Sequence, residues 1–261
     1  MKKTLIALAV AASAAVSGSA MAWTANGTGG AVDMGGTLSP EGKVTPWEVQ
    51  VGDAVKGLDA KVKKGQKTVD IAVKSAIPLL GIRTQTRELF NGQEGITPQI
   101  SYGNAVELSS FNRGHVPLTL EVKNSSGVKI GTAVTSLLAV AQGTAKTTNA
   151  KDNGVYSLYA SKSGMGFFGG VGKSPDSVVS NPIVAANSIF AGAAENYNND
   201  GHFEPPKPGQ VNFAEKDRAY SAFYASGIEK NKLIKITLDE GACADAPVQW
   251  KASLPITVSY M

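Results

Sequence analysis

The sequence predicts an all-β protein built as an antiparallel sandwich, and three observations support this class. Apolar and polar residues alternate in several short segments, turn-forming residues separate these segments, and glycine is abundant at 29 of 261 residues. Hydrophobic residues make up 43% of the chain and charged residues 18%, which excludes a chain that is disordered throughout. The length suits one β-rich domain or two small ones.

The first 22 residues have the pattern of a secretory signal. A positively charged start precedes an alanine-rich apolar run, and Ala20-Met21-Ala22 is typical of a cleavage site. The apolar run is too short to span a bilayer. We therefore expect export to the bacterial periplasm or beyond, with a mature chain that begins at Trp23.

Charge and cysteine content exclude two further classes of protein. The formal net charge of +4 falls to about +2 once the two lysines of the signal are removed, so the balance does not indicate nucleic-acid binding. Cys243 is the one cysteine of the sequence, which excludes a disulfide framework within the chain. It lies in a predicted hairpin loop, either as a small turn residue or as an exposed thiol.

Seven segments alternate with a period of two and are predicted as strands. A turn at residues 124–127 joins the fourth segment to the fifth as a hairpin. In chain order the apolar positions are Val32, Met34, Gly36 and Leu38; Trp47, Val49 and Val51; Val69, Ile71 and Val73; Leu118, Leu120 and Val122; Val128, Ile130 and Thr132; Leu233, Ile234, Ile236 and Leu238; and Leu254, Ile256, Val258 and Tyr260.

The middle of the chain, about residues 146–212, differs from the rest. It is rich in Gly, Asn, Ser and Pro, and long surface loops are predicted there, including residues 196–209. One helix is predicted after Asn181-Pro182, a good N-cap and first-turn pair. Its predicted apolar face consists of Ile183, Ala186, Ile189, Phe190 and Ala193.

Two glycine-rich motifs suggest nucleotide binding but do not meet its requirements. Residues 164–169 match G-x-G-x-x-G, and Gly172-Lys173-Ser174 resembles the end of a phosphate loop. Phe167 stands where a phosphate loop needs glycine, and no helical pattern follows the glycines. The two histidines, His115 and His202, are predicted to lie apart on the surface. We therefore predict no cofactor, no metal site and no catalytic residues.

The two ends of the mature chain are both predicted as strands. A strand that finishes at the last residue has no later strand to pair with, so we expect an open sheet edge and an uncovered apolar stripe there. The N-terminal strand could fill such a gap in its own domain or in a neighbouring molecule. The second arrangement is donor-strand complementation.

With these features the chain resembles the major subunits of kappa-type chaperone–usher fimbriae, the adhesive pilins of enterotoxigenic enterobacteria. The order of the matching segments, together with the signal and the two end strands, carries the resemblance. Residues 146–212 depart from the family pattern. The matching segments are residues 32–38, Trp47-Glu48, residues 77–81, 105–108 and 221–228, Gln249-Trp250 and residues 254–260.

The resemblance implies an incomplete immunoglobulin-like sandwich at residues 40–261, preceded by a donor-strand extension at residues 23–39. A periplasmic chaperone would pair with the C-terminal edge, and at the outer-membrane usher the donor strand of an identical or related pilin would replace it. The final location would be a surface fimbrium. The edge positions are Leu254, Ile256, Val258 and Tyr260, and the donor positions are Val32, Met34, Gly36 and Leu38.

The resemblance also implies a receptor, a host glycoconjugate bound by the inserted region. Aromatic side chains stack on sugar rings, although core packing explains several of these aromatics equally well. The candidates are Tyr156, Tyr159, Phe167, Phe168, Tyr197 and Phe203.

Two alternatives stay open: a minor fimbrial subunit that binds no receptor, and a monomeric periplasmic sugar-binding module or hydrolase. A hydrolase would need two facing carboxylates. By residue type alone, the candidates are Asp70, Glu107, Glu121 and Asp239.

Overall fold

The computed structural model describes residues 44–63, 65–147, 153–241 and 247–261. Within these residues the chain forms thirteen strands and one α-helix, which confirms the all-β prediction. Three predicted features lie outside the described residues. They are the signal, Cys243 and the donor strand with Val32, Met34, Gly36 and Leu38.

The strands and the helix have the following bounds in chain order. The elements are β1 (Trp47–Val51), β2 (Thr68–Ala72), β3 (Ile77–Thr84), β4 (Phe90–Asn91), β5 (Pro98–Ser101), β6 (His115–Asn124), β7 (Lys129–Thr147), β8 (Gly154–Leu158), α1 (Pro182–Ile189), β9 (Lys207–Gly209), β10 (Arg218–Ile228), β11 (Leu233–Leu238), β12 (Trp250–Ala252) and β13 (Thr257–Tyr260).

The 19-residue strand β7 organises the larger of the two sheets. Along one edge it pairs with β10 and then with β11, and along the other with β6 and then with β8. The sheet continues from β10 through β3 to β1, and from β11 to β2. Strands β5 and β13 form a separate two-stranded antiparallel sheet. Residues of both sheets contribute to one main hydrophobic core, so the architecture is a sandwich.

Alternation predicted most strands that have one buried face, but in β1 the predicted face was wrong beyond Trp47, because Val49 and Val51 are exposed. In β2, for example, Val69 and Ile71 are buried while the residues on either side of them are exposed. Strand β10 is different, because all residues from Tyr220 onward are buried and no alternation marks it in the sequence. Its Tyr224 faces the main core, whereas Phe223 faces a second apolar cluster on the other side of the sheet.

Helix α1 supplies that second cluster and covers the outer face of β7 and β10. Its predicted N-cap is confirmed, because Asn181 Oδ1 accepts a hydrogen bond from the backbone N–H of Val184 at 3.3 Å. Ala186 and Ile189 pack beside Phe223. The predicted apolar face was wrong at Ile183, which is 37% exposed. The helix begins at Pro182, in agreement with the predicted cap and first turn, and its buried positions are Pro182, Ala186 and Ile189. It ends at Ile189, so Phe190 and Ala193 of the predicted face are buried but lie beyond the helix.

Polar contacts fasten the segment after α1 to the sheet. The Arg83 guanidinium on β3 donates from Nε to Glu48 on β1 at 2.8 Å and from Nη1 to Glu195 at 2.8 Å. The same Nη1 donates to the carbonyl of Gly192 at 2.9 Å. Further along, the Thr144 hydroxyl on β7 lies 2.7 Å from the Tyr197 hydroxyl. The inserted region therefore packs on the sandwich rather than projecting from it.

A buried tyrosine network joins the two sheets through the main core. The Tyr102 hydroxyl, just after β5, lies 2.8 Å from the Tyr224 hydroxyl and 2.6 Å from Ser226 Oγ on β10. The Tyr224 hydroxyl also donates to the carbonyl of Gly170 at 3.1 Å. Burial raises the pKa of Tyr102 to about 12 and raises the pKa of Tyr224 as well.

These shifts predict that the protein loses stability in alkaline solution. Tyrosine ionises near pH 10 in an unfolded chain, so the folded state retains protons that the unfolded state has lost. The contribution is complete below about pH 10 and is lost as the pH rises toward 12, by up to about 1.4 kcal/mol per pH unit for each tyrosine. We expect the free energy of unfolding, measured in urea, to fall between pH 10 and pH 11.

Tyr102→Phe should flatten this pH dependence even though it removes two hydrogen bonds. Tyr159→Phe is the matched control, because it removes the hydroxyl of a half-exposed tyrosine that lies outside the network. Equal slopes for both variants would contradict the role assigned to the network.

Candidate subunit-assembly edge and receptor-binding surface

The C-terminal segment crosses from one sheet of the sandwich to the other. Strand β12 pairs with the end of β6, and β13 pairs with β5. The sequence predicted a single strand over residues 254–260, which is correct for residues 257–260 only. Pro255 stands in the break and lacks a backbone donor, so the ladder is interrupted while the chain changes partner.

The four predicted edge residues share one orientation. Leu254, Ile256, Val258 and Tyr260 are each half-buried and pack against the main core, whereas the residues between them are exposed. The alternation continues through the break before β13. The segment thus presents an apolar stripe that contacts the core without being buried by it.

The backbone of β13 is paired along one side. Thr97 and Met261 exchange both backbone hydrogen bonds at 3.0 Å. Because such pairs alternate along an antiparallel ladder, Thr257 and Ser259 also direct their backbone groups toward β5, and Val258 and Tyr260 direct theirs toward the opposite edge. Among the residues that the structure describes, no strand pairs with that edge. The sequence did not reveal β5 as the partner, since its residues show no alternation.

The open edge lies beside the start of the described chain. Partial burial raises the pKa of Tyr260, and a hydrogen bond between its side chain and that of Thr45 works in the opposite direction. Two residues later, the Trp47 indole donates from Nε1 to the carbonyl of Ile96 at 2.6 Å. The last strand and the residues that enter β1 therefore lie close together.

Of the six receptor candidates, Phe167 is placed in the core. It is fully buried, with its ring centroid 5.7 Å from those of Trp47 and Tyr224. Its backbone adopts φ of 62°, which folds the glycine-rich segment back beneath β5. There its backbone N–H donates to the carbonyl of Pro98 at 2.9 Å. In this structure no face of the Phe167 ring is available to a sugar.

The other five candidates differ in exposure. Phe168 is half-buried against the main core, and Tyr197 packs its ring against Phe223 at a centroid distance of 5.3 Å. Tyr156 and Tyr159 are half-buried beside β9, which pairs with β8. Phe203 is 92% exposed on the loop before β9. The structure thus leaves the Phe203 ring open to a ligand, and it leaves the four half-buried rings open only in part, namely those of Tyr156, Tyr159, Phe168 and Tyr197.

The four candidate hydrolase carboxylates and the two histidines each have their own neighbours in the structure. Glu107 accepts hydrogen bonds from the backbone N–H and the hydroxyl of Ser109, Glu121 lies 3.5 Å from Lys123, and Asp70 is opposite Lys235 in the sheet. Asp239 is exposed after β11, and His202 is half-buried in its loop. His115 was predicted to lie on the surface. This prediction is incomplete, because His115 begins β6 and its Nε2 lies 2.9 Å from a carboxylate oxygen of Glu229.

The described residues offer neither a metal-ion cluster nor a membrane-spanning helix. No group of three or more His, Cys, Asp or Glu residues in the described ranges could hold a metal ion. No helix in the part of the chain that the structure describes is both long and apolar enough to cross a membrane. The segment with the G-x-G-x-x-G pattern forms turns against β5, and the next helical element is a 3-10 turn at Pro175–Ser177.

The comparisons with known proteins agree with this architecture. A family model described as "Fimbrial, major and minor subunit", of K88 type, matches residues 1–261. The K88 fimbrial protein AB of Escherichia coli is 29% identical over 289 aligned residues, and K88 fimbrial protein AD is 30% identical over 292, with 100% of both chains covered in each case. The K88 minor fimbrial subunit FaeI is 32% identical over 123 residues, which cover 43% of this chain and 46% of that protein.

Because the family model covers the whole chain and the two K88 fimbrial proteins AB and AD align over their full length, the family assignment rests on more than the short segments in common. The all-β sandwich is consistent with it. The chain belongs to the K88-type family of fimbrial major and minor subunits.

Proposed function

We propose that the chain is exported through the periplasm and polymerises into a surface fimbria by donor-strand exchange. The observation that supports this proposal best is the edge of β13, where Val258 and Tyr260 combine half-exposed side chains with backbone groups that no described strand pairs with. A periplasmic chaperone would cover this edge first. At the outer-membrane usher, residues 23–39 of another subunit would then replace the chaperone, and residues 40–261 would be the acceptor domain.

The residue types of the proposed donor strand suit the acceptor edge. Val32, Met34 and Leu38 would add their side chains to the apolar stripe, and Gly36 would fit where no side chain has room. Burying each large apolar side chain contributes about 1.5–3 kcal/mol before the cost of ordering the donor. New ladder hydrogen bonds would also satisfy the outward backbone groups of Val258 and Tyr260.

The geometry also favours slow dissociation. An inserted strand leaves only when the acceptor sandwich opens, so the lifetime of the contact follows an unfolding barrier. The same edge, left uncovered, would be a template for uncontrolled pairing, and this gives the chaperone its role. Neither step requires a disulfide, which suits a chain with one cysteine.

Polymerisation should fail when either half of the contact receives a charge. In the full chain, Val258→Asp should abolish the acceptor and Met34→Asp the donor, because each would bury a carboxylate among apolar side chains. We expect no fibres from either variant in cells that carry the chaperone and usher, measured by electron microscopy and unheated gel electrophoresis. Mixing the two variants should give dimers and no longer species.

Ser259→Asp is the matched control on β13, since Ser259 is exposed and its side chain lies on the opposite face from that of Val258. It should polymerise normally. Fibres from Val258→Asp, or a stable monomer that never assembles from the unmodified chain, would reject the proposal. The second outcome would favour the monomeric periplasmic sugar-binding module.

We also propose that the assembled subunit binds a host glycan at the surface that includes Tyr156, Tyr159 and Phe203. The loop that carries Phe203 is fixed at both ends, by an ion pair of 2.9 Å between Lys146 and Asp200 and by the pairing of β9 with β8. An exposed aromatic ring on an anchored loop offers a face for sugar stacking. Repetition along a fibre would allow a weak site to act through avidity.

Phe203→Ala should therefore reduce fibre binding to host-type glycans by at least tenfold without changing assembly. Leu233→Ala is the matched control, because Leu233 is an exposed apolar residue of β11 and lies outside the inserted region. A glycan array probed with purified fibres measures both. Unchanged binding by Phe203→Ala would remove this surface from the proposal and leave the assembly proposal intact.

The major subunit is favoured over the minor one, because the K88 fimbrial proteins align with the whole chain and the minor subunit FaeI aligns with 43% of it. We expect this chain to be the repeating component of purified fibres. Quantitative mass spectrometry of isolated fibres measures its copy number. A copy number of one or a few per fibre would establish the minor role.

A further inference from the structure

A row of lysines crosses three neighbouring strands of the larger sheet. Lys251 on β12 is the direct cross-strand partner of Lys123 on β6, and Lys123 is the direct partner of Lys129 on β7. All three side chains are exposed and line the same surface concavity. Like charges placed directly opposite each other destabilise a sheet, so this arrangement has a cost in the absence of a ligand.

A β-bulge creates the row. Along β6 and β7 the register pairs Val122 with Gly131, and an unbroken ladder would next pair Lys123 with Ile130. The register shifts at this point, so Lys123 pairs with Lys129 and Ile130 remains buried. Bulges re-aim side chains in this way, and here the bulge adds a third positive charge to the face.

The charge of the row is largely uncompensated. Glu121 contacts Lys123 at 3.5 Å, and of the described residues it is the one carboxylate that lines the concavity. Among the described residues, Lys129 and Lys251 form no ion pair. Three ammonium groups therefore face one carboxylate, and an added anion would relieve their mutual repulsion.

The concavity has the size and the polar groups of a saccharide site. Its volume is about 760 Å³, within the range of small-ligand pockets. Besides the charged residues, its lining includes side-chain amides and hydroxyls that suit the hydroxyl groups of a sugar, contributed by Asn104, Thr119, Asn124, Ser125, Thr132 and Ser253.

We propose that the lysine row binds the sulfate or carboxylate groups of an acidic oligosaccharide. The site uses outward-facing residues and shares none with the proposed donor contact or with the aromatic candidates. The low net charge of the whole chain and the burial of Tyr102, the one aromatic residue in the lining, argue against nucleic acid, which needs extended positive charge or stacking platforms.

To test this proposal, the full mature protein is titrated with hexasaccharides, either as fibres or as the soluble protein. A heparin-derived hexasaccharide carries sulfates and carboxylates, a hexamer of sialic acid carries carboxylates alone, and maltohexaose is neutral. Calorimetry at 50 and 300 mM NaCl should show binding of an acidic probe that weakens with salt, and no binding of maltohexaose. Comparison of the two acidic probes tells which anionic group the site prefers.

The variant Lys129→Gln/Lys251→Gln should weaken binding of the acidic probe at least tenfold. Its matched control is Lys74→Gln/Lys235→Gln. Lys74 follows β2, Lys235 lies on β11, and both are exposed, so this control should bind the acidic probe as the unmodified protein does. The row variant should also melt at a higher temperature than the unmodified protein at low salt, with a smaller difference at 300 mM NaCl, which shows that it folds.

Equal weakening in both variants would mean general attraction to positive charge and would overturn the proposal. Absence of binding to both acidic hexasaccharides, or equal binding of maltohexaose, would overturn it too. Assembly of the row variant into fibres is measured in parallel, so that failure of the saccharide site is distinguished from failure of donor-strand exchange.

Discussion

The one-sided pairing of β13 is the constraint on which the rest of the structure depends. In the described part of the chain, the second layer of the sandwich is a sheet of two strands, β5 and β13, and a two-stranded sheet is marginal by itself. It is held by its packing on the larger sheet, through the main core and the hydrogen bonds of Tyr102 to Tyr224 and Ser226. A third strand beside β13 would convert the weakest part of the fold into a three-stranded layer.

The helix of the inserted region lies on the other side of the larger sheet from that edge. Neighbouring residues of β10 face opposite sides of the sheet, so Tyr224 contacts the core shared with β5 while Phe223 contacts the cluster around α1. The larger sheet thus separates the helix from the open edge. Within residues 146–212, a change in the helix would cost the acceptor little, since α1 packs on the opposite face of the larger sheet. A change at Phe167 would reach the acceptor, because Phe167 packs in the main core and its backbone donates to β5.

The sequence was informative for several strands that have one face in solvent, although in β1 the predicted apolar residues Val49 and Val51 are exposed. The alternation in β2, β6 and β11, the cap at Asn181 and the apolar stripe before Tyr260 were all predicted and found. Strands buried on both faces, such as β10, carry no period of two and were missed.

Two features could not be predicted from the sequence, because they depend on how distant segments of the chain come together. Phe167 lies in a glycine-rich segment that has the composition of an exposed loop, yet its positive φ turns it into the core. The lysine row joins Lys123, Lys129 and Lys251, whose proximity depends on strand register and on a single bulge. Local propensity cannot specify either one, because both result from where distant strands meet.

The C-terminal segment shows how one stretch of chain serves two surfaces. Its even-numbered positions from Leu254 to Tyr260 face the core, while Lys251 and Ser253 line the concavity on the outside. Because side chains alternate strictly in extended backbone, a strand added beside β13 would cover the first set and leave the second exposed. A fibre assembled through the first surface would repeat the second once in every subunit, so acidic saccharide contacts that are weak singly would gain strength from their number.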